Sequence, residues 1–157
     1  MLDKDEFRSA LGQFATGVTV ITTLDDEGQP HSMTANAFSS ICLDPPTVMV
    51  CVAHGTHTNG YLEKTNRFGV NILKQEQLEL GVYFAKKPAD RTGDVSYHYS
   101  AAADQTPVLD DSLVFFGCEV RGAHVYGDHT IYVGCLLYTS PSPRDATLSG
   151  MAGGGLK

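Results

Sequence analysis

Thr34-Ala35-Asn36-Ala37-Phe38-Ser39-Ser40-Ile41-Cys42-Leu43-Asp44-Pro45-Pro46 is the stretch that decides how the chain is read. It sets four small hydroxyl or amide side chains among small residues and stops at a rigid Pro-Pro corner. Small residues let a ligand approach the backbone, whose N–H groups donate to carbonyl or phosphate oxygens, and Ser, Thr and Asn add donors and acceptors. A planar heteroaromatic ring with a polar edge and a phosphate tail fits that inventory. A Ser/Thr-rich edge strand ending in a turn fits it equally, and local physics does not separate the two.

Upstream, residues 18–24 (VTVITTL) are β-branched and predict a buried strand. A turn signal at 25–28 leads into residues 30–37 as a hairpin partner. Before them, Phe7, Leu11 and Phe14 have helical spacing, with Asp3 as N-cap and Glu6 three residues on, as in a capping box. Downstream, residues 47–53 (TVMVCVA) predict a second buried strand, and Thr56 caps a short helix through Leu62 and Lys64. A strand at 68–73 (FGVNIL) and a helix at 75–85 follow. Residues 86–111 are polar, with Gly, Pro and Tyr scattered through them, and read as a long loop. A long strand at 113–125 turns at Tyr126-Gly127-Asp128-His129 and returns over 130–137. Many short strands at hairpin spacing predict a mainly β fold with flanking helices, a closed or partly closed antiparallel barrel.

The chain has 157 residues, 42% of them hydrophobic, which suits one folded domain. Net charge is -7 with only 11 Lys and Arg and no basic cluster, against nucleic acid as the main partner. No apolar run reaches the roughly 18 residues of a membrane span, and the charged N-terminus lacks the apolar centre of a secretory signal, so a cytoplasmic protein is expected. Cys42, Cys51, Cys118 and Cys135 form no C-x-x-C pair and read as free thiols. The six histidines form no ligand cluster with acidic residues, and no metal is expected. Dinucleotide fingerprints of the G-x-G-x-x-G type, P-loops and nucleophile elbows are missing. Residues 51–58 (CVAHGTHT) pass from a strand to a hydroxyl-rich helix start, a setting that binds phosphate and that ordinary capping by Thr56 explains as well. Gly127-Asp128-His129 reads as a hairpin turn, or as a place where His129 donates to a carboxamide or phosphate.

In order and spacing, FATGVTVITT (14–23), GQPHSMTANAFSS (28–40), LDPP (43–46), CV (51–52), THT (56–58), FGVNIL (68–73) and GDH (127–129) resemble the flavin reductase-like family of FMN-binding split barrels. The resemblance spans residues 5–134. It implies a six-stranded Greek-key split β-barrel with flanking helices, usually a homodimer. It also implies an NAD(P)H:flavin oxidoreductase that binds FMN or FAD, takes NADH or NADPH as reductant, and supplies reduced flavin to a separate monooxygenase. Matched position by position, Thr34, Ala35, Asn36, Ser39 and Ser40 lie along the flavin, and Cys51, Val52 and Ala53 beside its ring. Thr56 and Thr58 match the S-x-T that meets the flavin phosphate, with Thr in place of Ser at the first position; Phe84 borders the flavin, and His129 faces the nicotinamide as the catalytic position. After Ile131 and Gly134 the family pattern is lost. The expected domain is therefore 1–134, and 135–157 reads as an atypical tail foreign to the domain, non-native or disordered, in place of the last family strand. Two alternatives accompany this reading: a flavin- or haem-binding split-barrel module without reductase turnover, and a truncated inactive fragment.

Overall fold

A computed structural model describes residues 3–141. In it the polar stretch does not run as one strand. It breaks between β2 (Pro30–Ala35) and β3 (Phe38–Leu43), where the Phe38 amide donates back to the Asn36 carbonyl at 2.9 Å in a three-residue turn. β2 pairs antiparallel with β1 (Thr19–Leu24), and β3 with β4 (Pro46–Ala53). The remaining main strands are β5 (Arg67–Ile72) and two long ones. A short ribbon, β6 (Tyr99–Ala101) with β7 (Pro107–Leu109), separates β5 in the chain from the long pair, β8 (Val114–Tyr126) and β9 (His129–Pro141).

The main sheet runs β2-β1-β5-β8-β9-β4-β3, so its two edge strands are the two halves of one bent strand. The seven strands thus make six staves that close on themselves, the split barrel implied by the resemblance. Helix α2 (His57–Thr65) carries the chain from β4 to β5 on the far side of β1, which gives the order its Greek-key character.

β1 is buried on both faces, which is why it reads as an unbroken β-branched run. Ile21 enters the barrel interior with Val50, Val52, Phe68, Val70 and Tyr132. Val20 packs on the outside with Leu80, Phe84 and Leu109, under helix α3 (Leu78–Ala85). Inside the barrel the fully buried Phe68 ring lies directly on Gly134, where a Cβ would collide with it.

The predicted loop at 86–111 contains the β6–β7 ribbon and is strapped to the barrel by long-range bonds. Asn71 on β5 is wholly buried. Its Oδ1 accepts from the Leu109 amide at 2.8 Å, and its Nδ2 donates to the Val20 carbonyl at 3.0 Å and the Thr22 hydroxyl oxygen at 3.2 Å. Arg91 donates to the Ser32 carbonyl at 2.7 Å, and its guanidinium lies 5.2 Å over the Phe84 ring.

β2 and α2 meet through His31. Its Nε2 lies 2.9 Å from the Thr58 hydroxyl, and the Tyr61 ring stands edge-on at 5.0 Å. Burial, helped by the positive charge of Arg91 and by His57, lowers the His31 pKa from 6.5 to about 4.

The N-terminal helix α1 (Lys4–Leu11) is capped by Asp3, which accepts from the Asp5 and Glu6 amides at 2.8 and 3.0 Å. The helix stops at Leu11, short of Phe14, and none of its residues is buried; Phe7 and Leu11 are 51 and 57% exposed, and Phe14 beyond it 78%. At the other end, β9 runs past Gly134 to Pro141, paired with β8 throughout, four residues further than its sequence pattern suggested. The rest of the expected tail, from 142, lies outside the described residues.

Asn71→Leu keeps the volume but strands the Leu109 amide and the Val20 carbonyl, and is expected to cost about 2–4 kcal/mol in urea unfolding and to speed proteolysis within 86–111. A second expectation concerns pH. Below 6.5 the unfolded chain protonates His31, whereas the folded chain does so only near 4. The unfolded state holds the extra proton between those values, so stability falls as pH drops through that window and this contribution levels off below it. His31→Phe should show a smaller loss of melting temperature than the parent between about pH 7 and about pH 5; equal losses would assign the effect to other groups.

Candidate functional site

The site is built around the gap in the bent strand. The β1–β2 ladder ends at Ala35 and the β3–β4 ladder begins at Phe38, so Asn36 and Ala37 stand outside both and are exposed. The Ala37 carbonyl is held by the Cys51 amide at 3.0 Å, which sets the gap beside the end of β4. Ser39 and Ser40 continue the exposed edge opposite Met49 and Val48.

β4 ends at Cys51, Val52 and Ala53, and Ala53 pairs with His129 at the start of β9. The His54 amide donates to the Asp128 carbonyl at 3.0 Å, fastening the hairpin tip to the end of β4. His129 keeps 46% of its side chain exposed, and its Nδ1 contacts the Asp128 carboxylate at 2.6 Å, so Nε2 is the atom left to reach a ligand. Next in the chain, Thr56 caps α2: its hydroxyl donates to the Ala53 carbonyl at 2.7 Å and accepts from the Asn59 amide at 3.4 Å. The first-turn amides of His57 and Thr58 have no carbonyl of their own helix to bond, so this end carries partial positive charge.

The sequence-proposed positions therefore divide by exposure. Asn36, Ser39, Ser40 and His129 are exposed along one barrel edge, with Cys51, Ala53 and Thr56 half-buried behind them. Thr34, Ala35, Val52, Thr58 and Phe84 turn their side chains elsewhere. The Thr34 hydroxyl donates to the Gly81 carbonyl on α3 at 2.7 Å, while Ala35 and Val52 belong to the barrel core. Phe84 is 1% exposed, packed among Tyr83, Tyr97 and Arg91, so its ring offers no free face. Alternation along a strand sends neighbouring side chains to opposite faces, which separates Thr34 from Ala35 and Val52 from Cys51 and Ala53.

Two residues near the edge have no periodic signal in the sequence, His31 and Arg91. Arg91 lies in the polar segment and is joined to β2 by its bond to the Ser32 carbonyl. The exposed Asn36, Ser39, Ser40 and His129 make this edge a shelf. Half-open clefts occur elsewhere, one lined by Thr23, Thr65, Arg67 and Asp104, another by Glu76, Glu79, Asp94 and Asp110. Among the described residues no three His, Cys, Asp or Glu converge on a metal-sized site, and no helix is long and apolar enough to cross a membrane. The shelf offers hydroxyls, a helix start and a histidine held by the Asp128 carboxylate, an arrangement suited to holding and orienting ligands.

The family model described as a flavin reductase like domain matches residues 11–145. The NADH-dependent flavin reductase StyB of Pseudomonas fluorescens is 37% identical over 132 residues, covering 84% of this chain and 75% of the relative. The reductase component of a 4-nitrophenol 4-monooxygenase/4-nitrocatechol 2-monooxygenase from Rhodococcus opacus is 37% identical over 132 residues, 84% of this chain and 69% of the relative. Among solved structures, the flavin reductase PheA2 in its native state superposes with a TM-score of 0.81 at 34% identity, covering 90% of each chain. With the closed barrel and the polar shelf at its edge, these matches establish that the chain belongs to the flavin reductase like family.

Proposed function

We propose that the chain is an NAD(P)H:flavin oxidoreductase that takes electrons from NADH or NADPH, reduces FMN or FAD, and hands the reduced flavin to a separate monooxygenase. The observation that carries this reading is the meeting of the Asn36–Ala37 gap, the Ser39–Ser40 edge, the end of β4, the start of α2 and His129 at one rim of the barrel. Family membership and the reductase component of a monooxygenase among the relatives support it.

The residues fit a flavin. Small side chains at the gap leave room against the backbone, exposed hydroxyls and amides suit a polar ring edge, and the free amides of α2 suit a phosphate. Hydride chemistry is supplied by the cofactors, from nicotinamide C4 to flavin N5. The chain's share is positioning. Ser39, Ser40 and the amides around Asn36 hold the ring edge and donate toward negative charge gathering there. With its Nδ1–H donated to the Asp128 carboxylate, the neutral ring of His129 offers Nε2 as an acceptor to the carboxamide N–H of the nicotinamide nucleotide and seats it on the free side of the flavin ring. No general acid or base is required.

The working form is a homodimer. An eight-residue helix is marginal alone in water, yet α1 buries nothing in its own chain and presents Phe7 and Leu11 on one face. Leu43 on β3 and Val125 and Tyr126 at the hairpin tip are also highly exposed. A second copy covers this surface and walls the open side of the shelf.

Purified protein should oxidise NADH or NADPH steadily only when FMN or FAD is added, and comparing the four pairs assigns the preferred couple; binding of flavin without turnover would leave a binding module. In stopped flow, His129→Ala should weaken nicotinamide binding or slow flavin reduction by about ten-fold, the worth of one good hydrogen bond, and an unchanged rate and affinity would remove His129 from the mechanism. Replacing Phe7 and Leu11 with Glu should convert a dimer to a monomer in sedimentation; a parent that already sediments as a monomer would refute the dimer.

A further inference from the structure

His31 meets the start of α2 with half of its ring's hydrogen bonding used. Its Nε2 meets the Thr58 hydroxyl at 2.9 Å, and Thr58 is 1% exposed. A hydroxyl proton buried that deeply needs an acceptor, and His31 Nε2 is the partner present. Thr58 therefore donates, Nε2 accepts, and a neutral ring carries its own proton on Nδ1. Tyr61, edge-on at 5.0 Å, fixes the plane of the imidazole. That leaves the Nδ1–H as a fixed donor with no protein acceptor among the described residues.

The surroundings favour an anion. The guanidinium of Arg91 acts on His31 as a positive neighbour, with Asp25 as a weaker opposing charge. Arg91 is anchored to the carbonyl of Ser32, the next residue on β2, so the charge cannot swing away freely. The first turn of α2, which contains Thr58, adds its free amides. A fixed N–H donor in a positive setting, at a half-buried position, lacks only an oxygen acceptor of negative charge.

We propose that His31 is a phosphate-binding residue whose Nδ1–H donates to the phosphate of the bound flavin, with Thr58 acting behind it as the positioning residue that fixes the tautomer. The inference rests on the reading above that the start of α2 receives the flavin phosphate. It gives the buried Thr58 a role through His31 in place of direct contact.

FMN and riboflavin differ by the phosphate alone, so the ratio of their dissociation constants isolates this contact. The parent should bind FMN more tightly than riboflavin. His31→Phe should cut that preference by at least about ten-fold while leaving riboflavin affinity and the Michaelis constant for NADH little changed. His31→Gln, which retains an amide N–H, should keep part of the preference. Thr58→Val should lose part of it and add nothing in the His31→Phe background, because the two residues act as a unit. In the unmutated protein, the ¹⁵N signal of His31 Nδ1 should shift on adding FMN and not on adding riboflavin. A preference for FMN that survives both His31 substitutions, or an equal loss for both flavins, would overturn the inference and leave the flavin reading intact. A change confined to NADH would reassign the contact to the nicotinamide nucleotide and overturn it as stated. A parent that binds neither flavin would remove both readings together.

Discussion

The hydrogen bond from the Cys51 amide to the Ala37 carbonyl sits where the barrel both closes and opens. A sheet that ended at β2 on one side and β3 on the other would expose two unpaired edges, a standing risk of association. Here the chain bends at Asn36–Ala37, and the same run of residues serves both edges, so closure needs no extra strand. The bend has a local cost, two residues left out of either ladder. Those two residues are the exposed ones beside the end of β4. Closure and an accessible polar rim are thus one event.

Most of the strands were legible because their burial leaves a local imprint. β1 and β4 are β-branched runs, and the 113–125 pattern becomes β8 with a shift of one residue at each end. Residues 34–46 read as one polar, small-residue stretch, and their division into two strands is not visible, because nothing in Thr-Ala-Asn-Ala states where a ladder stops. The flavin-edge positions implied by the resemblance divide by exposure: Asn36, Ser39 and Ser40 lie exposed, Ala35 and Val52 belong to the core, and Thr34 is bonded to α3. A resemblance matches positions; it does not carry the direction of each side chain.

What the sequence hid was held by partners far away along the chain. The β6–β7 ribbon exists because Asn71 and Thr22, on β5 and β1, accept and donate to residues 107 and 109. Buried amide side chains of this kind are costly unless fully paired, and Asn71 is paired on both its oxygen and its nitrogen. Arg91 and His31 belong to the same class. Each looks ordinary in a polar stretch, and each acquires its setting from an element that is 27 or more residues distant.

The antiparallel pairing of Ala53 with His129 has a metric consequence. Neighbouring strands in a sheet stand about 4.8 Å apart, a spacing fixed by backbone hydrogen bonds and nearly independent of side chains. With the hairpin tip also pinned by the His54–Asp128 bond, the distance between the β4 terminus and the histidine is set by the sheet itself, as rungs set the spacing of a ladder. Sequence can therefore drift at the tip, and the exposed Val125 and Tyr126 can change with whatever they meet, without altering the separation at which two stacked rings would be offered to one another.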